Sequence, residues 1–243
     1  MINFFRRIRQ QFFSESKLSK YLFYAIGEIL LVVIGILIAL QINNWNENRI
    51  KSNKEANVLA NIHKEFKNNK IQLDKVLKRH KTVHSNCAKI IALFPIKEKP
   101  EPEILDSLSV YLFGSYEAYT FNPSQSSIDA LINTSSFDII KDEELRNLLI
   151  AWNDLVEDYQ EEEKNSSDYV WLHYDPFLSK HFDWNMNFND PRVNFEALQT
   201  LEFEYIVKNR FDFVNEILVS SGELKILQET LDKIIELSKP SNN

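Results

Sequence analysis

YLFYAIGEILLVVIGILIALQI, residues Tyr21 to Ile42, is a run of 22 residues of which 14 are Leu, Ile, Val or Phe. As a helix it would measure roughly 33 Å, against about 30 Å for the hydrocarbon core of a bilayer. At about −0.3 to −0.6 kcal/mol each, the large apolar residues favour insertion by about 4 to 8 kcal/mol. Glu28 opposes this by about 2 to 3 kcal/mol. Insertion wins. Tyr21, Tyr24 and Trp45 bracket the run as aromatic side chains do at membrane interfaces.

A cleaved signal peptide has a shorter apolar stretch ending in small residues. Here the run ends in Gln41-Ile42-Asn43-Asn44-Trp45, so the sequence predicts an uncleaved, single-pass transmembrane helix over 21–42. The first 20 residues carry five Lys or Arg, and the 20 after the span carry Arg49, Lys51 and Lys54. Phe5, Ile8 and Phe12 fall at helical spacing among the arginines, as in an interfacial helix on an anionic leaflet. The expected organisation is a basic amphipathic cytoplasmic tail over 1–20, the span, and an exported domain over 43–243.

Within the span, Gly35 and Ala39 fall within about 20° of Glu28 on a helical projection. Gly35-Ile36-Leu37-Ile38-Ala39 has small residues four apart, the spacing that lets membrane helices approach closely. Glu28, Gly35 and Ala39 are therefore the expected packing face. The partner is a second copy of this chain or the span of another membrane protein. The competing reading is a merely tolerated glutamate.

The run Tyr24 to Glu47, YAIGEILLVVIGILIALQINNWNE, together with Phe4-Phe5-Arg6-Arg7-Ile8-Arg9 before it, resembles the N-terminal signature of a family of small membrane proteins of Gram-negative bacteria. That family is known as domain of unknown function family 6090. The resemblance covers residues 1–50 and is only a pattern beyond them. It implies a cell inner membrane protein with a large periplasmic part, and it brings no catalytic residues.

Only four glycines occur, and two of them, Gly27 and Gly35, lie in the span. Hairpins and doubly wound sheets need glycine at positive φ, so the sequence predicts an all-α fold. Charge is unevenly placed: residues 46–94 carry a net +7 and residues 95–243 a net −17. Such neighbours are expected to pack together. A nucleic-acid site is not expected, since the basic residues are spread along a helix without an aromatic platform. Cys87, alone, excludes an intramolecular disulfide framework and a thiolate pair for a metal.

Positions 59, 62, 66, 69, 73, 76, 80, 83, 87, 90 and 94 alternate three and four apart and are apolar except Asn69 and His80. They predict a long helix with a heptad seam after Asn46. Pro95, Pro100 and Pro102 end it. A short helix is expected over 103–113, irregular chain over 114–124, and a helix opened by a Ser126-Ser127-Ile128-Asp129 capping box. Another should start at Asp142-Glu143-Glu144, with a stripe through Leu145, Leu148, Leu149, Trp152, Leu155, Val156 and Tyr159. Residues 172–195 read as a loop, followed by helices over 196–219 and 223–238. The acidic C-terminal helices are expected to return along the basic one as an elongated antiparallel bundle.

His80 and His84, four apart, could face one metal, but His80 lies on the seam and no carboxylate follows in the zinc-protease pattern. His173, Asp175, His181 and Asp183, in HYDPFLSKHFD, are the candidate ligand-binding loop, against the plainer reading of a packed loop. Glu161-Glu162-Glu163 reads as a solvated helix face. No Gly-rich phosphate loop, nucleophile elbow or paired-cysteine motif is present. No catalytic residue, metal or cofactor is expected. The expected role is an inner-membrane-anchored helical interaction module, a scaffold or accessory subunit of an envelope complex. The alternative is a membrane-anchored sensor that binds a small ligand in its exported domain.

Overall fold

The computed structural model describes residues 17–240, with side chains from Tyr21 to Pro240. Phe5, Ile8 and Phe12 of the expected amphipathic tail lie outside the described residues. No strand occurs among the described residues, so the fold is all-α. The chain divides into two compact units, Met1–Lys54 and Glu55–Asn243, and helix α1 (Lys17–Ile91) carries residues of both.

In the first unit, α1 is the one described helix long and apolar enough to cross a membrane, and none of its apolar window is buried. Every large apolar side chain from Tyr21 to Trp45 is exposed. Polar contacts begin beyond the run. Asn43 Nδ2 donates to Glu47 Oε1 at 2.8 Å, and the Arg49 guanidinium stands over the Trp45 ring at 5.4 Å.

The second unit is a bundle of four legs that alternate in direction. The first is α1 from Glu55 onward. The second returns through α2 (Pro102–Tyr116), an extended segment, α3 (Ser126–Asn133) and a 3-10 turn (Phe137–Ile139). Its contacts run steadily back down α1: Lys89 over Tyr111, Arg79 over Tyr119, Asn69 with Ser124, Glu55 with Lys141. The third leg, α4 (Glu143–Tyr169), runs parallel to α1, with Phe66 against Trp152 and His80 against Glu163. The fourth descends through α6 (Leu201–Asn215) and α7 (Glu223–Leu237). It places Phe203 at Phe94, Phe211 at His84, Asp232 at Lys70 and the Ile235 carbonyl at His63.

The heptad seam of α1 is what the other legs cover. Ile62, Phe66, Leu73, Val83, Cys87 and Ile90 are buried, and so are Leu145, Leu149, Trp152, Val156 and Tyr159 of α4 and Leu224, Leu227, Leu231 and Ile234 of α7, while Leu148 and Leu155 of the α4 stripe are partly buried. One core cluster gathers the lower seam with α3, α4 and α7. A second gathers Val83 to Ile90 with α2, α6 and the helix α5 (Asp175–His181). The acidic legs do pack on basic α1, but apolar burial joins them. Among the described residues, Lys70–Asp232 and Lys141–Glu55 are the ion pairs with Lys or Arg that link α1 to later elements. Both lysines are well exposed, and exposed pairs contribute about 0–1 kcal/mol.

Three local expectations are corrected. Ser126 does not cap α3. The cap position is Gln125, which makes no side-chain cap bond. Instead the Glu65 carboxylate of α1 accepts from Ser127 N at 2.9 Å and from the Ser124 and Ser126 hydroxyls at 2.8 and 3.2 Å. Burial works against its charge, and these bonds outweigh it, holding the carboxyl below its ordinary value. Asp142, by contrast, caps α4 as expected, accepting from Leu145 N at 2.8 Å.

Secondly, 172–195 is only partly a loop. Pro176 has no N–H to give the carbonyl four residues back. The chain absorbs this in a π turn (Val170–Tyr174), in which the Asp175 N–H bonds to the Val170 carbonyl, and then continues as α5. Irregular chain is confined to the segment after it. Thirdly, the expected helix 196–219 is a 3-10 turn (Phe195–Gln199), then α6 capped by Thr200, then a second π turn (Glu216–Ser220). Gly222, at φ 81°, makes the break before α7 that a side chain would resist. Gly114 eases the approach of α2 to α1: a Cβ there would overlap the Asn86 carboxamide, which would have to turn aside.

Candidate functional site

Glu28, Gly35 and Ala39 all lie on the exposed part of α1, with no side chain of the first unit closing over them. Nothing stands within 4 Å of the position a Gly35 Cβ would take. Gly35 is thus an open notch on the face that carries Glu28.

The four residues of the candidate loop separate. His173, in the first π turn, is exposed and lies beside the Tyr169 ring, centroids 5.2 Å apart. His181 ends α5, packs on Phe177 at 4.8 Å and meets Asn194 Nδ2 at 3.3 Å. Asp175 and Asp183 instead meet at one cavity of about 600 Å³. The two aspartates come together there, and the two histidines do not line it.

The cavity lies between the end of α2, the first π turn and the chain just after α5. Tyr116 is its centre. The Tyr116 hydroxyl donates to Asp175 Oδ1 at 3.0 Å. Burial, and then the Asp175 carboxylate, push that hydroxyl above its ordinary pKa, so it stays a donor. Trp171 and Trp184 stand nearly at right angles to the Tyr116 ring, at 84° and 75°, with centroids 5.6 and 6.4 Å away. Both indoles remain open to solvent, Trp171 at 56% and Trp184 at 74% exposure. Leu178, Phe182 and Met186 supply an apolar floor, and Glu117 a third carboxylate. Glu117 accepts from the Tyr119 hydroxyl, whose pKa burial and then Glu117 push up to about 12. Asp183 accepts from Asn185 N at 3.1 Å and Asn187 N at 2.5 Å, which fixes the loop carrying Trp184. No Lys, Arg or His lines the cavity.

Two buried polar clusters support this end of the bundle. Arg210, 1% exposed, donates Nε to the Ser115 carbonyl at 3.0 Å and Nη2 to the Glu117 carbonyl at 2.7 Å. Its Nη1 donates to the Ser166 carbonyl at 3.2 Å and to the Ser166 hydroxyl. The last carbonyls of a helix have no partner within it and carry its negative dipole end. Arg210 therefore caps the C-terminus of α2 from across the fold and holds the Ser115–Glu117 wall in place.

Glu163, 1% exposed, accepts from His80 Nε2 at 2.9 Å and from Phe121 N at 2.8 Å. It is no solvated residue, which corrects the reading of the Glu161-Glu162-Glu163 run. His84 is engaged elsewhere, stacked on Phe211 at 4.0 Å, so His80 and His84 have separate partners. Among the described residues, no group of three or more His, Cys, Asp or Glu side chains is placed to hold a metal ion.

Both clusters obey a helical phase that was legible. Glu163 continues the stripe Trp152, Val156, Tyr159, and Arg210 the stripe Phe203, Ile206, Val207.

A family model described as a family of unknown function (DUF6090) matches residues 28–167. No curated protein and no solved structure matches the chain. The matched residues hold Glu28, Gly35 and Ala39 of the expected packing face, the α1 seam, the Tyr116 wall and the His80–Glu163 pair. Trp171, Asp175, Asp183, Trp184 and Arg210 lie beyond them.

Proposed function

The chain belongs to the family of unknown function DUF6090, and on that premise we propose that it is an inner-membrane-anchored helical interaction module. Its N-terminus lies in the cytoplasm, its bundle in the periplasm, and it serves as a scaffold or accessory subunit of an envelope complex. The observation that carries this reading is an apolar helix none of whose window is buried by the chain's own fold. Such a surface is costly in water and favourable in a bilayer. The module acts by binding, with Glu28, Gly35 and Ala39 as the face offered to a second copy or to another span.

The test is crosslinking of the full-length protein in native membranes. The wild-type chain is expected to give a crosslinked species that Glu28→Leu or Gly35→Leu abolishes. Crosslinking that survives both substitutions removes this face as the interface.

A second reading is favoured by a specific observation, the cavity beside Tyr116. In it the bundle binds a small ligand and reports to a partner through the span.

A further inference from the structure

We propose that the cavity around Tyr116 is a binding site for a small organic cation bearing an alkylated ammonium group. The proposal deepens the ligand-binding reading and rests on it. Three features of the cavity select the ligand.

Charge comes first. Asp175, Asp183 and Glu117 line the cavity, and no basic side chain does. An anion would meet three carboxylates and no basic side chain on the lining, since Arg79, over the Tyr119 ring, and Arg192, whose charge interacts with that of Asp183, stand outside it. An uncharged ligand would cover those carboxylates without supplying opposite charge. A cation gains from all three.

Ring geometry is the second. Tyr116, Trp171 and Trp184 present walls at 84° and 75° to one another's neighbour, the Tyr116 ring. The face of an aromatic ring is negative, and indole is the strongest of these surfaces for a cation. Rings at near right angles surround a round cationic head better than a stack does. These indoles are also unusually exposed for side chains of their size, so the box is open to solvent.

The third feature separates an alkylated ammonium from a metal ion. Asp175 Oδ1 accepts from the Tyr116 hydroxyl, Glu117 Oε2 from the Tyr119 hydroxyl, and both Asp183 oxygens from backbone N–H groups, and among the described residues no three His, Cys, Asp or Glu side chains are placed to hold a metal ion. The three carboxylates supply field, not a coordination shell. A strongly hydrated ion would lose water without gaining ligands. An alkylated ammonium makes no hydrogen bonds through its methyl groups and needs none replaced. The volume of about 600 Å³ leaves room for an apolar body against Leu178, Phe182 and Met186.

The experiment uses the full-length protein in dodecyl maltoside. Choline, benzyltrimethylammonium and 3,3-dimethylbutan-1-ol, the uncharged isostere of choline, are titrated in turn. Tryptophan fluorescence is the readout. Both cations are expected to give saturable changes, with the alcohol weaker by about tenfold or more. Trp171→Ala and Asp175→Asn should each weaken the cations by about tenfold with an unchanged circular dichroism spectrum. Trp171 is largely exposed, and Asn keeps an acceptor for Tyr116, so both variants are expected to fold. Equal binding of cation and isostere would overturn the cation while leaving the cavity a ligand site. No saturation by any of the three at tens of millimolar would overturn both. Saturation unaffected by the two substitutions would place binding elsewhere and also overturn the proposal.

Discussion

Arg210→Met is expected to cost about 3–5 kcal/mol of bundle stability, read as a shift in the urea midpoint of the full-length protein in detergent. Methionine matches the volume and fills the apolar part of the site. What is lost is the set of donors. The buried carbonyl of Ser115 and the part-buried carbonyl of Glu117 would lose their donor at the end of α2, and the buried carbonyl and hydroxyl of Ser166 would lose theirs. Each orphaned buried acceptor costs about 1–3 kcal/mol. For a domain with a total stability of about 5–15 kcal/mol, that is a large share. Arg210→Lys keeps the charge but has no planar fork to span two helix ends, so it should recover only part of the loss. A loss under about 1 kcal/mol for Arg210→Met would show that the carbonyls find water, and that Arg210 is not the cap described here.

The second large effect concerns Glu163. Glu163→Leu removes the acceptor for two buried donors at once, His80 Nε2 and the Phe121 N–H, and should cost about 2–5 kcal/mol. His80→Leu orphans one carboxylate oxygen and should cost less, about 1–3 kcal/mol. The double variant His80→Leu/Glu163→Leu should cost less than the sum of the two by on the order of 1–3 kcal/mol, because the shared bond is counted twice in the sum. Glu163→Gln retains an acceptor for Phe121 N and is expected to be the mildest change. Strict additivity in the cycle, measured by the same urea titration, would mean that the two side chains do not interact.

Helices were legible because their signals are local. The period of Ile62, Phe66, Leu73 and Val76 names the buried face of α1, and Asp142 announces the start of α4 within one turn. What pairs with that face was not local. Glu65 receives the hydroxyls of Ser124 and Ser126, about 60 residues away, and no spacing rule connects them. Asp175 and Asp183 stood out as acids in an aromatic segment, and they do meet at the cavity. Their histidine neighbours do not line it, because the segment after residue 172 is not all the loop that its composition suggests. A π turn followed by α5 rotates His173 to solvent and His181 onto Phe177 instead. Tyr116, the centre of the cavity, comes from the opposite side of the sequence, beyond the reach of any motif. Glu163 and Arg210 were lost differently. The charge of Glu163 suggests solvent, although its phase with Trp152, Val156 and Tyr159 places it inward, and Arg210 carries no motif beyond its phase with Phe203, Ile206 and Val207.

The claim on which the rest depends is that α1 holds the bundle to the membrane with the bundle outside the cytoplasm. Cysteine chemistry can test it directly, since native Cys87 is buried and its thiol is pushed up to about 12, leaving it silent to maleimides. Glu98→Cys puts an exposed thiol in the turn between α1 and α2. The account predicts that a membrane-impermeant maleimide labels this variant on intact spheroplasts, and that the labelled chain stays in the pellet after alkaline carbonate washing. Labelling only after lysis would reverse the topology. Release of a chain beginning beyond Trp45 into the soluble fraction would remove the anchor.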